Sequence, residues 1–131
     1  MLVWNPEQHA LGNSAMDATH EAFIALLRAA TEATDADFPA RFAELFDHTR
    51  AHFAEEDAKM LASRFPAIGE HVGEHRRILG ELTLFQRSVR AGRTRMARAY
   101  LADTLPAWFG LHLITMDAAL AAHLRRQAEP S

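Results

Sequence analysis

Seven residues of metal-ligand type stand in four segments of the chain: His20, His52 with Glu56, His71 with His75, and His112 with Asp117. Two of these pairs are four residues apart, a spacing that places both side chains on one face of a helix. Inward-facing metal sites in helix bundles are assembled from such pairs, and any metal here must sit on nitrogen and oxygen donors. Seven donors spread over four segments predict a site for two metals. His112 and Asp117 are the irregular pair, since five residues of α-helix leave them about 140° apart and about 7.5 Å along the axis. Either a carboxylate reaching across to bridge two metals or a local widening of the helix such as a π-bulge would reconcile them.

The segments that must position these residues are amphipathic. From about Asp17 to Thr34, His20, Phe23, Ile24 and Leu27 recur at helical spacing. Asp35, Asp37 and Pro39 then supply turn and N-cap chemistry, with proline tolerated in a first helical turn. A second helix, about 38–63, has an inward stripe that includes Phe42, Leu45, Phe46, His52, Phe53, Glu56 and Met60, and Arg64-Phe65-Pro66 ends it. A third, about 68–90, carries Ile68, His71, Val72, His75, Ile78, Leu82 and Phe85, and Gly92 suits its C-terminal stop. The fourth, about 94–124, turns Leu101, Leu105, Trp108, His112, Met116 and Leu120 inward, with Pro106 expected to kink or divide it. Short connections between the four favour an up-down-up-down antiparallel four-helix bundle, an all-α fold, with residues 1–16 as an extended N-terminal arm.

The candidate ligands interrupt the apolar stripes instead of lying on solvent faces. Each buried polar group left without a partner costs on the order of 1–3 kcal/mol, and a shared metal site would satisfy them together. The 131 residues, 49% of them hydrophobic, suit a single packed domain. Cysteine is absent, which excludes disulfides, thiolate metal sites and cysteine nucleophiles. The formal charge of -3 argues against a general nucleic-acid or anionic-membrane binder. The N-terminus lacks a basic start followed by an apolar stretch, and no membrane-spanning segment is expected, so a soluble, cytoplasmic protein is expected.

Other residues are assigned no ligand role. His48 lies one turn before His52 and reads as a solvent-edge histidine, while His9 and His123 lie near the chain ends. Arg87, Arg90, Arg93, Arg95 and Arg98 crowd the connection between the third and fourth helices; a solvated charge cluster and a docking surface for an acidic partner are the two readings.

Taken together, Asp17-Ala18-Thr19-His20, His52-Phe53-Ala54-Glu55-Glu56, Phe65-Pro66 with His71-Val72-Gly73-Glu74-His75, and Trp108-Phe109-Gly110-Leu111-His112 with Asp117 resemble the hemerythrin family, in particular its single-domain bacterial members. The resemblance covers nearly the whole chain, and all seven ligand positions are filled. It implies a non-heme di-iron centre with an oxo or hydroxo bridge. One iron would be held by His71, His75 and His112, the other by His20 and His52, with Glu56 and Asp117 bridging both.

Reversible dioxygen binding for storage, delivery or buffering is the implied function, with Phe23, Phe53, Trp108 and Phe109 as expected walls of an apolar oxygen pocket. A di-iron oxygen or redox sensor, or an enzyme reducing peroxide or nitric oxide, is the alternative. Dioxygen is the expected partner, with neither nucleic acid nor membrane. The placement of Trp108 and Phe109 depends on how Pro106 and Gly110 are accommodated just before His112.

Overall fold

The computed structural model describes residues 2–128; Met1 and residues 129–131 of the expected 1–131 domain lie outside the described residues. Among the described residues the fold is all helical. A short helix α1 (Pro6–His9) interrupts the N-terminal arm, followed by α2 (Ser14–Thr31), α3 (Phe38–Ala62), α4 (Ile68–Arg90) and α5 (Arg95–Ala128). Successive helices pack side by side, and α2 returns against α5 to close the four-helix bundle.

Local chemistry explains the ends. Asn13 caps α2 by accepting from the Met16 N–H at 3.0 Å, so the helix begins three residues before the expected Asp17. Asp17 instead accepts from the Leu11 N–H at 2.8 Å and ties the arm down. Leu2, Trp4 and Leu11 of the arm pack on the core. Asp37 stands at the N-cap of α3 without a side-chain capping bond, while Thr34 Oγ1 accepts from the Asp37 N–H.

Helices α3 and α4 end alike. Phe65 N–H donates to the Met60 carbonyl and Arg64 N–H to that of Leu61; Arg93 N–H donates to Ser88 and Gly92 N–H to Val89. The residue between, Arg64 at φ 55° and Gly92 at φ 84°, is left-handed in both, as this type of helix stop requires. Glycine adopts that conformation without the steric penalty that Arg64 bears.

Pro106 neither breaks nor divides the last helix. A π-turn over Tyr100–Thr104 immediately precedes it, in which the Leu105 N–H reaches back to the Tyr100 carbonyl. The widened turn places proline in the first turn of a renewed α-helical stretch, Leu105–His112, where its missing donor is tolerated. Gly110 lies inside that stretch, and a Cβ there would meet open space.

A second π-turn spans Leu113–Asp117, where the Ala118 N–H donates to the Leu113 carbonyl. The extra residue per turn brings Asp117 onto the face of His112. It also changes the inward stripe: Leu113 and Asp117 are buried, whereas Trp108 and Met116, expected inside, are half-buried.

The expectation that no segment has the length and composition of a membrane span is corrected by α5, which has both. Its apolarity is that of a core helix on one side, where Leu105, Phe109, Leu113 and Leu120 are buried.

The apolar core falls into two clusters. The larger includes Phe23, Phe42, Leu45, Phe53, Ile78, Leu82, Leu105 and Leu113; the smaller contains Met16, Met60, Phe65, Leu120 and Ala121. Along α2, α3 and α5 the candidate ligands lie between residues of the first cluster and residues of the second. The site is a polar layer across the middle of the bundle.

Candidate metal centre

Helix α2 contributes His20, α3 contributes His52 and Glu56, α4 contributes His71 and His75, and α5 contributes His112 and Asp117. All seven side chains are buried, none more than 7% exposed. The four-residue spacing on α3 and α4 stacks each pair one turn apart on the inner face, and the second π-turn does the same for the pair on α5.

The two carboxylates divide these residues into two groups. Glu56 Oε1 lies 3.2 Å from His71 Nε2 and 3.3 Å from His75 Nε2, while its Oε2 lies 2.6 Å from His52 Nε2 and 3.5 Å from His20 Nε2. Asp117 Oδ1 lies 3.1 Å from His71 Nε2 and 3.2 Å from His112 Nε2, while its Oδ2 lies 3.2 Å from His20 Nε2. Each carboxylate therefore shows one oxygen to a three-histidine group and the other to a two-histidine group.

Most of these contacts are not hydrogen bonds. His20 Nε2, His71 Nε2, His75 Nε2 and His112 Nε2, Glu56 Oε1 and both Asp117 oxygens are buried with no hydrogen-bond partner. Only His52 Nε2 and Glu56 Oε2 meet hydrogen-bond geometry. Donor atoms at such distances but not aimed at one another are the arrangement of ligands sharing an ion: two ligands at about 2.1 Å from one ion and at right angles stand about 3 Å apart. The sets His71, His75, His112, Glu56, Asp117 and His20, His52, Glu56 each converge closely enough to hold one ion.

Electrostatics agree with a cation site. Burial opposes protonation of His20 and His71, yet the Asp117 and Glu56 carboxylates outweigh it and raise both imidazoles from 6.5 to about 9. Burial likewise opposes ionisation of Glu56 and Asp117, but the surrounding histidines hold both carboxyls below the usual carboxylate range. Protons at His20 and His71 thus occupy the role that metal charge would take over.

Aromatic rings wall the layer. Phe53 stacks on His75 with ring centroids 3.9 Å apart and planes within 5°, and Trp108 stacks on His112 at 4.4 Å. Phe109 meets His20 edge-on at 5.7 Å, and Phe23 stacks on Phe109 at 4.6 Å. The four expected wall residues all touch a candidate ligand or one another.

Residues 11–125 match the Hemerythrin HHE cation binding domain. The chain belongs to the hemerythrin family. A bacteriohemerythrin from Ralstonia nicotianae (strain ATCC BAA-1114 / GMI1000) is 35% identical over 127 residues, spanning 97% of this chain and 91% of that protein. The crystal structure of wild-type hemerythrin superposes with a TM-score of 0.83 at 16% identity, covering 95% of this chain and 98% of that one. A leucine-to-alanine variant of hemerythrin superposes at 0.81 with 17% identity, covering 95% and 97%. The structural matches establish the hemerythrin fold.

Within that fold, two residues near the site were not singled out from the sequence. Asp57 Oδ1 lies 2.8 Å from His75 Nδ1, so that the ring can donate to the carboxylate and present Nε2 to the site. Its position directly after Glu55 and Glu56 hid it in an acidic run. Glu74 accepts from Trp108 Nε1 at 3.2 Å and holds the indole over His112. Only the fold brings those two together.

The histidines outside the site have ordinary partners. His48 is half-buried with Nε2 at 3.2 Å from the Thr19 carbonyl, His9 Nδ1 accepts from the Asn5 N–H, and His123 Nε2 donates to the Ser63 carbonyl.

Asp57→Ala should weaken metal binding about 10- to 100-fold in chelator competition with little loss of fold, because Asp57 is partly exposed; unchanged affinity would contradict the orienting role. In protein prepared without metal, the raised pKa of His20 and His71 contributes stability fully below 6.5 that is lost as pH rises through about 9. The depressed carboxyls lose their contribution at acid pH. Thermal melts should therefore show maximal stability between the carboxylate range and pH 6.5, and metal uptake at neutral pH should release about two protons. Stability flat from pH 6.5 to 9 would be the contrary result.

Proposed function

We propose that this hemerythrin-family chain holds two iron ions and binds dioxygen reversibly. The observation that carries the proposal is the division of the two carboxylates: Glu56 and Asp117 each offer one oxygen to the three-histidine group and one to the two-histidine group. That arrangement supports His71, His75 and His112 at one iron, His20 and His52 at the other, and Glu56 and Asp117 bridging them.

When bound, an iron pair supplies the electrons by which dioxygen is held. The chain supplies everything else. The two-histidine group has one nitrogen fewer, so the small-molecule position falls on the His20 and His52 side. Phe23 and Phe109, stacked together against His20, form the apolar wall there. They keep water and proton donors away from the site, which favours release of the bound gas over its further reduction.

Neutral donors predominate over charged ones. Five imidazoles and two carboxylates leave a pair of cations less charge-compensated than a carboxylate-rich cage would, so high oxidation states are less stabilised. Phe53 on His75 and Trp108 on His112 fix the planes of two ligand rings, and Asp57 fixes the His75 tautomer. A rigid donor set changes little between the gas-free and gas-bound states, consistent with a carrier or buffer of oxygen. The 35%-identical relative is a bacteriohemerythrin.

The test is an anaerobic optical titration of the iron-loaded, reduced protein with dioxygen, followed by removal of the gas. An absorption band that appears with oxygen and disappears when it is withdrawn, over repeated cycles, is expected. Irreversible oxidation on first exposure with the iron still bound would overturn the carrier reading in favour of a sensor or a reducing enzyme.

A further inference from the structure

Where α4 and α5 run side by side beyond the metal layer, they enclose an open groove of about 400 Å³. Leu84, Phe85, Met96 and Tyr100 line it. Leu84 and Met96 are 62% and 68% exposed, two large apolar side chains left open to solvent at one concavity. An adjoining hollow shares Ser88 and Met96 with the groove and is walled by Arg93 and Arg95.

Charge is concentrated at this end of the bundle. From Leu82 to Ala102 the chain has no Asp or Glu, yet carries Arg87, Arg90, Arg93, Arg95 and Arg98. Arg98 is committed, donating to the Ala33 carbonyl and Asp35 and lying over the Phe38 ring. Arg28, Arg41, Arg50 and Arg77 elsewhere pair with neighbouring carboxylates. Arg87, Arg90, Arg93 and Arg95 are exposed and make no ion pair among the described residues. Among the described residues the one carboxylate lining the groove, Glu81, is already engaged by Arg77 and by the Tyr100 hydroxyl at 3.0 Å. The groove thus presents apolar walls with a basic rim, on a protein whose formal charge is -3.

We propose that this groove docks an acidic partner protein, which inserts an apolar side chain between Leu84 and Met96 while its carboxylates face Arg93 and Arg95. Charge complementarity selects the partner's sign and steers its approach. Concavity selects a protruding side chain over a flat lipid surface. The contact is small, so the complex is transient and salt-sensitive.

The position has a second consequence. Tyr100 on the groove floor donates to Glu81, Glu81 pairs with Arg77, Arg77 pairs with Glu74, and Glu74 accepts from Trp108, the ring stacked on His112. An occupant of the groove would touch the outer end of a bonded chain that leads to the wall of the metal layer.

The experiment uses the metal-loaded protein and a fluorescently labelled amphipathic helical peptide with leucine and phenylalanine on one face and glutamate on its flanks. A counterpart with lysine flanks is the charge control. Fluorescence polarisation should show saturable binding of the glutamate peptide alone, weakened as salt is raised. Arg93→Glu combined with Arg95→Glu should weaken it roughly tenfold, as expected for removing and reversing two rim charges. Met96→Asp should abolish it. All three positions are exposed, and unchanged circular dichroism confirms folding of the variants.

Absence of binding, equal binding of both peptides, or binding indifferent to the variants would overturn the proposal. So would binding to vesicles of equal parts phosphatidylglycerol and phosphatidylcholine, sensitive to the same variants, with none to the peptide; that result would make the patch a membrane contact.

Discussion

Seven polar side chains buried across the middle of a small bundle are the constraint on which the rest of the structure depends. Five imidazoles and two carboxylates, none more than 7% exposed, leave most of their inward-facing atoms without a hydrogen bond. Each such atom costs on the order of 1–3 kcal/mol unless a common partner satisfies it. Protons on His20 and His71 offset part of that cost through Glu56 and Asp117. Metal ions shared by the same atoms would offset it more completely. The two apolar clusters on either side, the aromatic rings stacked on His75 and His112, and the Asp57 carboxylate behind His75 all serve to hold this layer in place.

The last helix shows how far backbone geometry bends to that requirement. A regular α-helix through Pro106 would lack a donor and would point Asp117 away from His112. Two π-turns resolve both problems, one just before the proline and one between His112 and Asp117. Widened turns of this kind are frequent at functional sites. The first also sets the face on which Leu101, Leu105 and Phe109 are buried.

Much of this was legible in the residues themselves. The four-residue spacing of His52 with Glu56 and His71 with His75 lies within apolar stripes, so periodicity alone places these side chains inward. Five-residue spacing in His112 and Asp117 signalled an irregularity, and the wide turn is its resolution. Other features depend on tertiary contact and have no local signature. Asp57 is one of three consecutive acidic residues, and only the approach of α4 distinguishes it. The half-burial of Trp108 and Met116 follows from the same extra residues that a uniform helical wheel cannot include. Asn13 capped α2 earlier than the apolar pattern suggested because a cap is set by one side chain, not by a stripe. Helix α5 has the length and mean apolarity of a membrane span, but Arg95, Arg98, Asp103 and Asp117 interrupt it, so no uninterrupted apolar run marks it in the sequence.

The proposed joining of two metal positions by Glu56 and Asp117 is tested most directly by a crystal structure of the iron-loaded protein, with iron located by anomalous scattering. Two iron peaks are predicted, one bounded by His71, His75 and His112, the other by His20 and His52, with Glu56 and Asp117 contributing one oxygen to each. A single peak, or a second peak that lacks His20 and His52, would contradict the account.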